Sequence, residues 1–412
     1  MTKRLTLVLL VCLCIGFMQC STRSVPTEHQ TSRELTVSER HLVESDNEFG
    51  LKLFREIIKG EKDKNVFISP LSVSMALGMT YNGANGETQE AMAEALELSG
   101  LTLQGVNESY QSLIELLRGL DPKVQFRIAN SIWFRQDREP EKEFVDLCKE
   151  YFDALVRSMN FADPNAAKII NGWVYENTNG KIEEIVDDPI NPMIVMFLIN
   201  AIYFKGTWTY QFDEDSTKDT LFTLPDGTKK PCKMMEQRGF YKHFSNDDFQ
   251  AIDLPYGDGD FSMTIFLPNL NTDIDSLIAE FDPENLNYWL SRFSSDSGDI
   301  FIPKFKLEYE LGLNQVLKTM GMEIAFNPGL ADFSKMYRGG GVWIDTVKHK
   351  TYVEVNEEGT EAAAVTSVEM REVSIDPPDF RMRVDRPFIF LIRENVSQTI
   401  LFIGKIVEPT LE

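Results

Sequence analysis

Glu354-Val-Asn-Glu-Glu-Gly-Thr-Glu-Ala-Ala-Ala-Val-Thr-Ser-Val-Glu-Met-Arg-Glu-Val-Ser-Ile375 is the stretch on which the reading of this chain turns. If its side chains alternate between two faces, as in a strand, one face carries Thr360, Ala362, Ala364, Thr366, Val368 and Met370, none of them charged. The other carries Glu361, Ala363, Val365, Ser367, Glu369 and Arg371, so every charge between Thr360 and Arg371 is expected on the side that meets water. One register therefore buries cleanly, and a slip of one residue would bury charge instead. An Ala-rich helix is the competing local reading, because residues 361–365 include good helix formers and follow Gly359 closely.

Outward from this segment, the 412 residues show no internal repeat and no Pro/Ser-rich linker, which points to one mixed body. A hydrophobic content of 43% and a charged content of 25% suit a globular protein with ample core. The formal net charge of −23 argues against nucleic-acid partners, which need a cationic footprint. Residues 1–19 read as a signal peptide: Lys3 and Arg4 make a basic start, and Leu5 to Met18 form an apolar run too short to span a bilayer comfortably. The run ends at Gln19-Cys20-Ser21, which is similar to a bacterial lipoprotein site with Cys20 as the lipidated residue. Phe17 and Gln19 depart from the strict pattern, so plain secretion stands beside a lipid-anchored cell-envelope location. Residues 20–41 are expected to be a lipidated or flexible tether, and residues 42–412 the folded domain. Cys148 and Cys232 remain in the body; their spacing gives neither a disulfide framework nor a zinc signature, and both read as packed single thiols.

Within the body, Phe49, Leu53, Phe54, Ile57 and Ile58 recur at helical spacing from Asp46 until Gly60. Val66-Phe67-Ile68 reads as a short strand, and Leu71 to Tyr81 as a buried helix with Pro70 at its start. Val124, Phe126, Ile128, Ile132 and Phe134 alternate as a strand with one covered side, interrupted by Asn130. Phe197 to Phe204 is almost wholly apolar and reads as a central strand covered on both faces. Residues 387–393 and 399–407 form a terminal hairpin. Strands and helices mix without a βαβ rhythm, which gives an α+β class with several mixed or antiparallel sheets.

Enzyme chemistry finds little support. No nucleophile elbow, phosphate-binding loop, zinc-protease motif or paired C-x-x-C occurs. His29 and His41 lie in or near the tether, and His243 and His349 read as structural. No metal and no cofactor is expected.

Glu357-Glu-Gly-Thr-Glu-Ala-Ala-Ala364 resembles the proximal hinge of the serpins, and Val384-Asp-Arg-Pro-Phe-Ile-Phe390 the segment after their reactive loop. Asn65 to Ser72 with Met75 to Gly78 is similar to the start of the family's second helix, and Asn200 to Trp208 to a strand of its central sheet. The blocks at 171–182, 311–335 and 402–409 extend the match over almost the whole body. The resemblance implies a serpin fold of three sheets with an exposed reactive loop near the C-terminus. It also implies a suicide-substrate inhibitor of serine, and also cysteine, endopeptidases, not an enzyme; a non-inhibitory binding or chaperone module is the alternative. Glu357, Glu358, Gly359, Thr360, Glu361, Ala362, Ala363 and Ala364 then form the hinge. Ser69, Pro70, Ser72, Asn200 and His349 are similar to the shutter beneath the central sheet, and Trp208 to part of the breach where insertion begins. A charge at Thr360, Ala362 or Ala364 would have to be buried at a cost on the order of several kcal/mol; none is present.

The family's loop length, counted from Gly359, places the bait bond at Val373-Ser374, which suits elastase-like targets. Met370 and Arg371 are alternatives, Arg371 for trypsin-like proteases, and subtilisin-like proteases are further candidate targets. Residues 86–98 and 107–120 are acidic or near neutral, against the heparin patch that some serpins carry there. The expected partner is a protease met by a monomer, with a membrane involved only through a lipid anchor.

Overall fold

The computed structural model describes residues 33–361 and 377–411. The signal peptide, Cys20 and most of the tether lie outside the described residues, as do Ala362, Ala363, Ala364, Met370, Arg371, Val373 and Ser374.

Six helices occupy the first half: α1 (Val37–Gly60), α2 (Pro70–Gly83), α3 (Gly86–Ala95), α4 (Leu103–Leu117), α5 (Lys142–Phe152) and α6 (Ala166–Asn177). The first begins at Val37, well before Asp46. Thr36 and Glu39 form a reciprocal capping box there, and Arg33 pairs with Glu39 at 2.5 Å. The tether expected over 20–41 therefore gives way to ordered chain from Arg33 onward. Pro70 opens α2 with Ser69 as N-cap, as its sequence implied. Gly50 lets α1 cross close by, since a Cβ there would lie 2.4 Å from Pro70 Cβ.

The described residues hold, in chain order and interleaved with these helices, the strands β1 (Val66–Ile68), β2 (Val124–Arg135), β3 (Leu155–Met159), β4 (Met196–Thr207), β5 (Lys218–Thr223), β6 (Lys229–Ser245), β7 (Phe249–Tyr256), β8 (Phe261–Pro268), β9 (Ser294–Pro303), β10 (Phe305–Gly312), β11 (Lys348–Val355), β12 (Gly359–Thr360), β13 (Phe380–Arg383), β14 (Phe388–Glu394) and β15 (Ile400–Ile406). They form one nine-stranded sheet, β1-β15-β14-β8-β7-β6-β9-β13 with β5 on β6, and one six-stranded sheet, β10-β11-β12-β4-β2-β3. Where three sheets were expected, two continuous ladders are seen among the described residues. The 17-residue β6 accounts for this: it pairs with β5 and β9 along most of its length and with β7 at its end, joining what would otherwise be two sheets.

The core lies between the two sheets and under α1 and α2. Every residue of β8, β14 and β15 is buried, and β14 with β15 is the hairpin read at the C-terminus. Buried Arg393 is answered by Asp253 at 3.0 Å, as a charge in such a position requires. Cys148 and Cys232 are both free and buried.

Candidate functional site

The six-stranded sheet is built around two rails that do not meet. On one side β4 pairs with β2 continuously from Gly206↔Val124 to Met196↔Phe134. On its other side, among the described residues, only Gly206 and Thr207 are paired, and their partners are the two residues of β12. β11 is likewise paired along its whole length with β10 but contributes only Val355 to β12. Below Thr360, among the described residues, no strand lies between β4 and β11. A cavity of about 710 Å³ opens here, walled by β4, β11 and α2 and by segments 182–195 and 333–347. For that reason Met196, Phe197, Leu198 and Ile202 are only half-buried, although the apolar run led us to expect a strand covered on both faces.

The gap has a polar floor. His349 on β11 accepts a hydrogen bond at Nε2 from the Ser69 amide (3.0 Å), while the Ser69 hydroxyl donates to the Leu401 carbonyl (2.7 Å) and caps α2 by accepting from the Ser72 amide. Burial pushes the His349 imidazole down to about 4, so it is a neutral acceptor. Across the gap, the Asn200 amide donates to Asn130 (2.8 Å), which donates in turn to the Phe152 carbonyl (2.7 Å). Asn200 Oδ1 is buried and has no partner. Ser69, Ser72, Asn200 and His349 line this cavity, and Pro70 follows Ser69 in the first turn of α2. Asn130, which interrupted an apolar pattern, proves to be the anchor of Asn200.

At the top of the gap the chain turns from β11 into β12. Trp208 fixes this turn: its indole N–H donates to the Asn356 carbonyl (2.9 Å) and its amide to the Glu358 carbonyl (2.8 Å). The indole stacks on Tyr256 with centroids 4.4 Å apart, and the Tyr256 hydroxyl bonds to the Thr360 hydroxyl at 2.6 Å. Thr360 is thereby seated in the core at 2% exposure. Gly359 is required here, because at φ +152° a Cβ would lie 2.0 Å from the Gly206 carbonyl oxygen. Glu357 pairs with Lys304 at 2.6 Å and accepts from Thr217. Burial raises the Glu357 carboxyl, but Lys304 and Thr217 outweigh it and hold the group below the usual range.

A serpin (serine protease inhibitor) family profile matches residues 44–409. Human serpin B8 is 34% identical over 375 residues, covering 89% of this chain and 99% of the relative. Iripin-2 from the tick Ixodes ricinus is also 34% identical, at 89% and 94% coverage. The chain belongs to the serpin family. Among solved structures, the thermophilic serpin tengpin in its native state superposes with a TM-score of 0.82 at 30% identity, covering 92% of this chain and 96% of that one. Human thyroxine-binding globulin complexed with thyroxine gives 0.83 at 28% identity, covering 90% and 100%. As a serpin, the chain falls in a family of protease inhibitors.

Within this serpin, one hinge expectation is overturned. Glu361 was placed on the water-facing side, yet it is 8% exposed. The segment following α6 covers that face of the sheet, and Lys181 from it lies 3.9 Å from the Glu361 carboxylate. No local pattern points to this contact, nor to Lys304 against Glu357 or Tyr256 beneath Trp208, because each pairs residues far apart along the chain. His243 has no place in the site; it stacks on Phe380 at 3.9 Å in the other sheet. No helix among the described residues is long and apolar enough to cross a membrane. No cluster of metal-binding side chains is found among them.

Proposed function

We propose that this serpin is a suicide-substrate inhibitor of serine endopeptidases, exported by its N-terminal leader, with Val373-Ser374 as the bait bond. The observation that carries the reading is the open gap between β4 and β11, already entered at its top by Gly359 and Thr360 in strand register. Extending that register gives each later residue a seat. Ala362 would lie between Phe204 and Val353, Ala364 between Ile202 and Thr351, and Thr366 between Asn200 and His349, while Val368 would lie beside Leu198. These are the uncharged residues of the alternating face. The Thr366 hydroxyl would arrive level with Asn200 Oδ1, the buried acceptor that now lacks a donor.

The chemistry follows from this seating. The target's serine attacks the Val373 carbonyl, the Ser374 amine leaves, and the protease is held as an ester on Val373. The freed loop then enters the gap as a strand and carries the protease with it, distorting its site before water can cleave the ester. About a dozen ladder hydrogen bonds at roughly 0.5–1.5 kcal/mol each, with burial of Val368 and Met370, supply on the order of ten kcal/mol. That is comparable to the stability of a typical domain. Hinge, shutter and breach are the roles we assign to residues 357–364, to Ser69, Pro70, Ser72, Asn200 and His349, and to Trp208.

Mixing the chain with elastase-, trypsin- and subtilisin-type proteases, followed by denaturing gels and mass spectrometry, tests the reading. The expected result is an SDS-stable complex with an elastase, cut after Val373 and abolished by Val373→Asp. Loop cleavage without a complex would make this a non-inhibitory binding module. Unchanged elastase inhibition by Val373→Asp would move the bait to Met370 or Arg371.

A further inference from the structure

Glu361 ends the described part of the hinge, and its surroundings are not those of an ordinary strand residue. Its backbone sits at φ +56°, in the left-handed region, although its amide still bonds to the Glu354 carbonyl at 2.9 Å. Its side chain is 3% exposed. From the segment after α6, Lys181 approaches at 3.9 Å, but the same ammonium lies 4.0 Å from Glu354 on β11 and over the Tyr352 ring at 4.4 Å. From β4, Tyr203, whose hydroxyl accepts from Asn179, lowers the carboxyl's pKa, and Lys205 does so more weakly. Arg127 on β2 bears on Tyr203, and Glu308 and Lys306 on β10 bear on Tyr352. One lysine therefore serves two carboxylates, and Glu361 Oε2 is buried with no partner.

We propose that Glu361 is a proton-operated catch on the hinge: neutral, it holds Gly359 and Thr360 seated between β4 and β11, and ionised, it lets them go. This rests on the reading of the following loop as bait. Release from the catch relieves the ionised carboxylate, because a hinge withdrawn from the sheet returns it to water. Burial, the largest influence, raises the seated carboxyl to about 7, against the pull of Lys181 and Tyr203, whereas a solvated glutamate titrates near 4.5. Seating is therefore favoured in full below about 4.5, weakens as pH rises toward about 7, and changes no further above that.

Hydrogen exchange of the full-length chain at the Glu361 and Trp208 amides, both bonded within the hinge, reads the catch without any protease. Wild type and Glu361→Gln are compared at the same pH, so the intrinsic exchange rate cancels. Near pH 5 the two should agree within about fivefold, and near pH 8 wild type should exchange at least about fiftyfold faster, as linkage across this interval requires. A wild-type to variant ratio that is the same at both pH values would overturn the proposal. Lys181→Ala, which removes the carboxylate's nearest cation, should move the wild-type transition to higher pH, and no movement would count equally against it. The rate of protease inhibition, taken as the same ratio, should rise several-fold from pH 5 to pH 8. If neither protein forms a complex, the bait reading fails while the exchange data still decide the catch.

Discussion

The two sheets of this serpin solve the same packing problem to different degrees. In the nine-stranded sheet, β8, β14 and β15 are buried at every position and each is paired on both sides. In the six-stranded sheet, β4 is fully paired with β2 and, among the described residues, at only two positions on its opposite edge. The first sheet is closed along these strands. The second holds about 710 Å³ of unfilled space and a buried carbonyl oxygen, Asn200 Oδ1, with nothing to accept from. A void and an orphaned acceptor each cost stability, and both lie where a strand of the right pattern would remove them. On the proposed reading, the free energy that insertion would release is local to the β4–β11 edge.

Breaking the comparison at the top of the gap has the largest expected effect. Thr360→Arg would place a charge in a seat sealed by Tyr256, at a cost on the order of several kcal/mol. The variant should be cleaved as a substrate and form no SDS-stable complex, measured as the stoichiometry of inhibition. At the floor, His349 titrates at about 4 in the fold against an ordinary 6.5. Unfolded chains take up a proton that the fold refuses, so stability should fall as pH drops from about 6.5 to about 4. The loss is on the order of 3 kcal/mol, measured by urea unfolding, and His349→Gln should flatten it. Lys304→Ala leaves the buried Glu357 without its cation and should cost about 1–3 kcal/mol, since Lys304 itself is partly solvated. The smallest effect sharpens the register: Thr366→Val should remove about 1 kcal/mol from the stabilisation gained on loop cleavage by leaving Asn200 Oδ1 unpaired.

How much of this was legible depended on how far apart the interacting residues lie. The apolar run at Phe197 to Phe204 and the Ser69-Pro70 helix start are local patterns, and strand and helix appear where they indicate them; the alternation of Thr360 to Arg371 lies almost wholly outside the described residues. The start of α1 was also readable. Thr36-Val-Ser-Glu39 is a capping box, but the apolar periodicity that drew attention begins only at Phe49. Glu361 could not have been read correctly. Its parity along the strand says solvent, and only the segment carrying Lys181, folded over that face from 180 residues upstream, makes the position buried. The fusion of sheets through β6 is equally non-local, because strand length alone does not say which neighbours share it.

On the proposed function, the β4–β11 edge is a vacant seat for the chain that follows Thr360. Nicking the reactive loop of the full-length protein with a protease it does not inhibit, then following thermal unfolding, tests this most directly. Insertion worth on the order of ten kcal/mol should raise the Tm by roughly 20 °C or more, with Thr360→Arg gaining far less. A nicked protein that melts at or below the temperature of the intact one would contradict the account.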